Sequence, residues 1–171
     1  MGKLIYVTIV AAIVLYGHVA AACNKTSSLF TIERSTNANI VHYDACLVNE
    51  SELSASDPVE VYWIMESGLR ENLTWMEARY AYGIRSPEKL GDGAVEFSLA
   101  AFGRKMLVTK IDGIYRAVVS VNGQRSILEK IYVECQPGLL GVPRVLYADF
   151  LGQALDTGAS IVERVKGQMS P

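Results

Sequence analysis

The sequence predicts a mainly β protein, a single-domain antiparallel β-barrel or β-sandwich with one short helix, carried behind an export signal. Three observations predict it. After residue 28, short runs rich in β-branched and aromatic residues recur between polar or Pro-containing segments. Asn122-Gly123 separates two apolar stretches as a two-residue hairpin turn. One capping-box sequence, Thr74 to Glu77, marks one helix.

The chain opens on Met1-Gly2-Lys3, a short positive start, followed by an uncharged, mostly apolar run from Leu4 to Tyr16 and the small residues Ala20-Ala21-Ala22. That order is the layout of a secretory signal, so residues 1–22 are expected to direct export and the working chain to begin near Cys23. Retention of Leu4 to Ala22 as a membrane span is the alternative, because its length approaches the ~20 apolar residues that cross a bilayer. Val19-Ala20-Ala21-Ala22-Cys23 resembles the lipobox of bacterial lipoproteins, which implies a lipid on Cys23 and a membrane anchor. That family favours Leu where Ala20 stands, so plain cleavage stays open. The expected location is exported and periplasmic, soluble or held by that lipid.

An exported chain tends to pair its thiols, and three cysteines leave one over. With lipid on Cys23, Cys46 and Cys135 remain as a pair whose long loop would stabilise the fold by roughly 4 kcal/mol. The alternative is two unpaired core thiols. No zinc spacing occurs, and His42 is the only histidine after the leader, so neither a metal nor another cofactor is expected. The net charge of −2, with both signs scattered, gives no basic patch for nucleic acid.

Residues 23–27 read as a short polar tether, 28–166 as the β-rich domain and 167–171 as a frayed end. Leu29 to Glu33, Ile40 to Cys46 and Val59 to Met65 read as strands. The helix should run from about Trp75 to Tyr82. Thr74 caps it and Gly83 stops it; two turns do not persist alone, so Trp75, Met76, Tyr80 or Tyr82 is expected to hold it by packing. After a turn at Gly91-Asp92-Gly93, Val95, Phe97, Leu99 and Ala101 alternate with polar or small residues and predict a half-buried strand. The hairpin Ile114–Val121 with Gln124–Cys135 should pair Val121 with Gln124, Val118 with Ile127, Arg116 with Glu129 and Ile114 with Ile131. Both its faces are apolar, which suits a barrel or sandwich. Arg144 to Leu151 and Ser160 to Val165 read as two further strands around Asp156-Thr157-Gly158.

Leu29 through Asn39, Pro58-Val59 leading to Tyr62-Trp63-Ile64, Leu73-Thr74 through Glu77 to Ala81-Tyr82-Gly83, and Tyr147, Gly152, Thr157-Gly158 and Glu163 together resemble the family of exported bacterial proteins known as domain of unknown function 4833. The resemblance covers nearly all of the chain after the leader. It implies a bacterial source and an envelope location, and brings no reaction or ligand with it.

Candidate binding residues fall in two groups. Arg34, Asn37 and Asn39 follow the first strand and suit an anionic or sugar-like ligand, although asparagine is also a turn former in its own right. Glu77 and Arg79 sit among Trp63, Trp75, Tyr80 and Tyr82, with Glu33 and Glu66 as further carboxylates for acid–base chemistry. Capping already gives Glu77 a structural use. No nucleophile elbow or phosphate loop is present. The leading expectation is a noncatalytic envelope module that binds a small molecule or an envelope protein. A hydrolase or transferase acting on cell-wall or lipid material would need Arg34, Glu77 and a tyrosine to converge, and an architectural subunit would need a large exposed apolar patch.

Overall fold

The computed structural model describes residue 23 and residues 25–49, 51–138 and 143–167. The expected leader at 1–22 and residues 168–171 lie outside the described residues. Among those described, eleven strands join in one sheet. Strands β1 (Lys25–Arg34), β2 (Asn37–Leu47), β3 (Val59–Ile64) and β4 (Arg70–Asn72) form one wing, in the order β4-β3-β2-β1. After helix α1 (Trp75–Tyr80), strands β5 (Ile84–Lys89), β6 (Val95–Leu99), β7 (Phe102–Ile111) and β8 (Ile114–Val121) form a second, antiparallel meander. Strand β9 (Gln124–Gln136) belongs to both wings, and β10 (Arg144–Ala154) with β11 (Ser160–Lys166) extends from its opposite edge.

The hairpin turn forms as expected. Asn122 and Gly123 take φ values of 48° and 79°, and Val121 faces Gln124 while Val118 faces Ile127. Asp112-Gly113 makes the same kind of turn between β7 and β8, at φ 51° and 79°. Beyond Ile127 the register departs from expectation. Arg116 faces Thr109 on β7, and the β8–β9 ladder ends before Glu129. From Thr31 opposite Lys130 to Arg34 opposite Val133, β9 pairs with β1 in parallel, so the sheet is mixed and not wholly antiparallel.

A bulge explains the change of partner. Lys130 faces Leu151 and Leu128 faces Gly152, which leaves Glu129 as an extra residue on β9. A bulge bends its strand and sharpens the local twist. Gly152 allows it, because a Cβ there would lie 2.2 Å from the Ile127 carbonyl oxygen.

The two wings curl over one core as a half-barrel. Phe30, Val41, Tyr43 and Trp63 from the first wing meet Phe97, Met106, Val108 and Val119 from the second, with Leu128, Ile131 and Phe150 between them. Phe30 stacks on Tyr43 with ring centroids 4.3 Å apart, and Phe102 lies 4.7 Å from Phe150. Side chains also tie β11 to the second wing. Arg104 of β7 makes a two-pronged contact with Glu163 at 2.8 and 2.6 Å, and the Asn122 amide N–H donates to the same carboxylate at 2.7 Å. Glu163 is held below its ordinary pKa, chiefly by Arg104.

Four further expectations are corrected or narrowed. Segment 25–27 is no tether: it begins β1, with Lys25, Thr26 and Ser27 opposite Leu47, Cys46 and Ala45. The alternating strand ends at Leu99, and Ala101 turns outward before β7. No residue of α1 is buried, so Trp75, Met76 and Tyr80 do not hold the helix; the packing falls to Tyr82, just past its end, which is half-buried against the core. Gly83 does stop it, by close approach and not by a left-handed φ, since a Cβ there would lie 1.9 Å from the Ala78 carbonyl oxygen.

The cysteine pairing is also different. Cys23 is bonded to Cys46, with their Cα atoms 5.2 Å apart, and Cys135 is free. Antiparallel pairing of Thr26 with Cys46 brings Cys23 alongside β2, while Cys135 lies at the far end of β9 next to Ser35. A sulfur in a disulfide carries no lipid, so the Cys46–Cys135 bridge and the lipidated Cys23 both give way to this pair.

Thiol titration of the denatured, unreduced protein should find one reactive cysteine, Cys135, and three after reduction. Reduction should cost about 3 kcal/mol of unfolding free energy in urea, the loop-entropy value for a span of 23 residues. Three thiols before reduction, or a Cys135-linked peptide in a non-reducing digest, would contradict the pairing.

Candidate functional site

Arg34 ends β1, between Asn37 of β2 and Val133 of β9. Its guanidinium lies 4.5 Å from the centroid of Trp63 and 5.9 Å from that of Tyr82. A planar, weakly hydrated cation suits such aromatic faces better than an ammonium does. Nη1 donates to the Tyr82 hydroxyl and Nη2 to Asn37 Oδ1, each at 3.1 Å. Its Nε is buried without a hydrogen-bond partner among the described residues.

The rings around Arg34 are fixed from behind. Trp63 meets Tyr82 edge to face at 5.1 Å, and the buried Tyr43 hydroxyl donates to the Tyr82 carbonyl oxygen at 2.6 Å. Burial raises the pKa of Tyr43 first, and Tyr82 adds to it, so this phenol stays protonated as a donor. Asn37 Oδ1 also accepts from the Asn39 amide N–H at 3.2 Å, and Asn39 Oδ1 accepts from Glu66 N–H at 2.8 Å. Asn37 therefore shapes the turn, as its residue type predicts, while Asn39 ties β2 to the residues just past β3 and keeps its amide NH2 as a donor.

Glu77 enters from α1. The Thr74 amide N–H and hydroxyl both donate to Glu77 Oε2 at 2.8 Å, and the Glu77 N–H donates back to Thr74 Oγ1 at 3.3 Å, completing the capping box. Burial alone would raise this carboxyl. Hydrogen bonds from Thr74 and the Trp63 indole, with the charge of Arg34, outweigh that effect and hold Glu77 below the ordinary carboxylate range.

Arg34, Asn39, Trp63 and Glu77 thus line one cleft of about 140 Å3, together with Met65, Glu71, Asn72 and Thr74. Asn37 and Tyr82 support Arg34 from behind. Arg79 does not join them: it lies on the other side of α1, over Trp75 and Tyr80 at 5.7 and 5.6 Å. Neither Glu33, paired with Lys130 at 3.1 Å, nor the exposed Glu66 supplies a second carboxylate. Glu71 does, placed opposite Trp63 by the short β3–β4 ladder. The sequence carries no signal for it, because Arg70-Glu71-Asn72 contains no strand former. Cys135 lies close enough to feel the charge of Arg34, yet burial pushes its thiol up, which disfavours a nucleophilic thiolate.

The site therefore offers a fixed cation, two carboxylates and two amides within a small volume. This suits binding better than proton transfer. A carboxylate held low is a weak base and has no proton to give near neutral pH.

The family described as Domain of unknown function (DUF4833) matches residues 30–164. Neither the curated proteins nor the solved structures give a match.

Because the folded pKa of Glu77 lies below the unfolded value of ~4.3, its contribution to stability is present above that pH and is lost as pH falls through the folded value. Thr74→Ala should raise the Glu77 pKa, read by carboxyl-carbon NMR, and lower stability by about 1 kcal/mol through loss of the cap. An unchanged Glu77 titration would remove Thr74 as a source of the shift.

Proposed function

This chain belongs to the DUF4833 family, and we propose that the Arg34–Glu77 cleft makes it a noncatalytic binding module of the cell envelope that holds a hydroxylated, sugar-sized group. The observation that carries this reading is the mixture of groups around one small volume. A hydroxyl both donates and accepts, and the cleft presents Arg34 and amide N–H groups beside the Glu71 and Glu77 carboxylates. Among the described residues the buried Nε of Arg34 has no hydrogen-bond partner, so one donor of this side chain is unused. About 140 Å3 is well under the ~300–1,000 Å3 of a drug-sized site. One ring of a longer glycan fits that size.

The disulfide and the apolar leader support an exported location, since such bonds persist in oxidising compartments. Among the described residues no helix is long and apolar enough to cross a membrane. Convergence of Arg34, Glu77 and Tyr82 favours one rival, a hydrolase or transferase on the same groups. The depressed pKa of Glu77 weighs against it.

Titration of the protein with N-acetylglucosamine oligomers, followed by the NMR shift of the Trp63 indole N–H, tests the reading. Binding should be saturable, and Glu71→Gln should weaken it about ten-fold or more, as expected for a hydrogen bond to a charged group. Glu71 is exposed, so that variant leaves the fold intact. Absence of a Trp63 response to any oligomer, or turnover of a glycan that Glu77→Gln abolishes in a folded protein, would defeat the noncatalytic proposal.

A further inference from the structure

Helix α1 turns its apolar side chains to solvent. At 100° per residue, Trp75, Arg79, Met76 and Tyr80 fall within one arc of about 140°, while Glu77 lies outside that arc and reaches the cleft. Trp75, Met76 and Tyr80 are 68%, 65% and 60% exposed. A helix on a globular domain normally buries its apolar stripe, so this one is reversed.

The patch is organised and basic. Trp75 and Tyr80 meet edge to face at 6.0 Å, and the Arg79 guanidinium lies against both rings. Arg79 Nε donates to the Tyr80 hydroxyl at 3.2 Å, and Arg85 donates to the Arg79 carbonyl oxygen, which brings a second guanidinium to the end of the helix. Neither arginine is within ion-pair distance of a carboxylate among the described residues.

Size and charge decide what covers this face. Aromatic side chains bury ~150–250 Å2 each when fully covered, so two rings and a methionine, partly covered already, offer on the order of 400 Å2. That is half of the ~800 Å2 per partner in a stable protein interface. It is enough for a shallow interfacial anchor, whose usual composition is Trp and Tyr at headgroup depth with arginine beside anionic phosphates.

We propose that α1 is a peripheral docking element for an anionic bilayer surface, with Trp75, Met76 and Tyr80 inserted among the headgroups and Arg79 and Arg85 paired with lipid phosphates. The contact is reversible and separate from the cleft, which lies on the inner side of the helix.

Trp63 and Trp75 are the only tryptophans, and Trp63 is buried. Protein recovered in its exported form should therefore lose the Trp75 emission when mixed with phosphatidylglycerol vesicles carrying brominated acyl chains. Zwitterionic phosphatidylcholine vesicles should quench far less. Trp75→Phe should abolish the quenching, and Arg79→Glu with Arg85→Glu should weaken partitioning about ten-fold or more, as should ~0.5 M salt. Three results would overturn the proposal. They are unquenched wild-type emission, equal quenching in Trp75→Phe, and a concentration-dependent burial of Trp75 in vesicle-free buffer, which would identify a second copy as the occupant.

Discussion

The contact between Gly152 and the Ile127 carbonyl oxygen is the constraint on which the rest of the architecture depends. Because β10 can press this closely against β9, Glu129 can be accommodated as a bulge. The bend lets one edge of β9 serve β8 over its first residues and β1 over its later ones. Without it the second wing would continue along β9, and β1 would have no strand to join in parallel. The single core that links Phe30 and Tyr43 to Phe97 and Met106 follows from that branching.

The cleft is a by-product of the same geometry. Parallel pairing with β9 holds β1 in place as far as Arg34, just where the first wing meets the residues after α1. Arg34 then does two jobs. Its flat face lies over Trp63 and Tyr82, and its edge bonds Tyr82 and Asn37. A lysine would keep the charge but lose the flat face and the two-pronged hydrogen bonding. The capping box serves a similar double purpose, since the bonds that start the helix also keep Glu77 ionised beside Arg34.

Much of this was legible from local signals. The Asn122-Gly123 turn fixed its nearest cross-strand pairs, and Thr74 with Glu77 marked the start of the helix, because both signals act over two to four residues. Arg34, Asn39, Trp63 and Glu77 were also named from sequence, and they share one cleft. What was not legible depends on distant contacts. The parallel β1–β9 pairing hinges on a bulge that Glu129 does not announce, and Glu71 reaches the cleft only through the β3–β4 register. Counting cysteines established that one would be left over, but which one depended on where β1 begins. Residue type alone does not separate Tyr82, which packs against the core, from Trp75, Met76 and Tyr80, which face solvent.

The bond between Cys23 and Cys46 has a mechanical meaning. Tension entering the chain ahead of Cys23 would otherwise peel β1 from β2 one hydrogen bond at a time, the weakest way to load a sheet. The covalent link passes that load directly to Cys46, on a strand flanked by β1 on one side and β3 on the other. The first strand is then out of the line of force, and with it the end of β1 that holds Arg34. A pull applied at Cys23 is borne by the interior of the sheet, and the end of β1 beside the cleft is spared it.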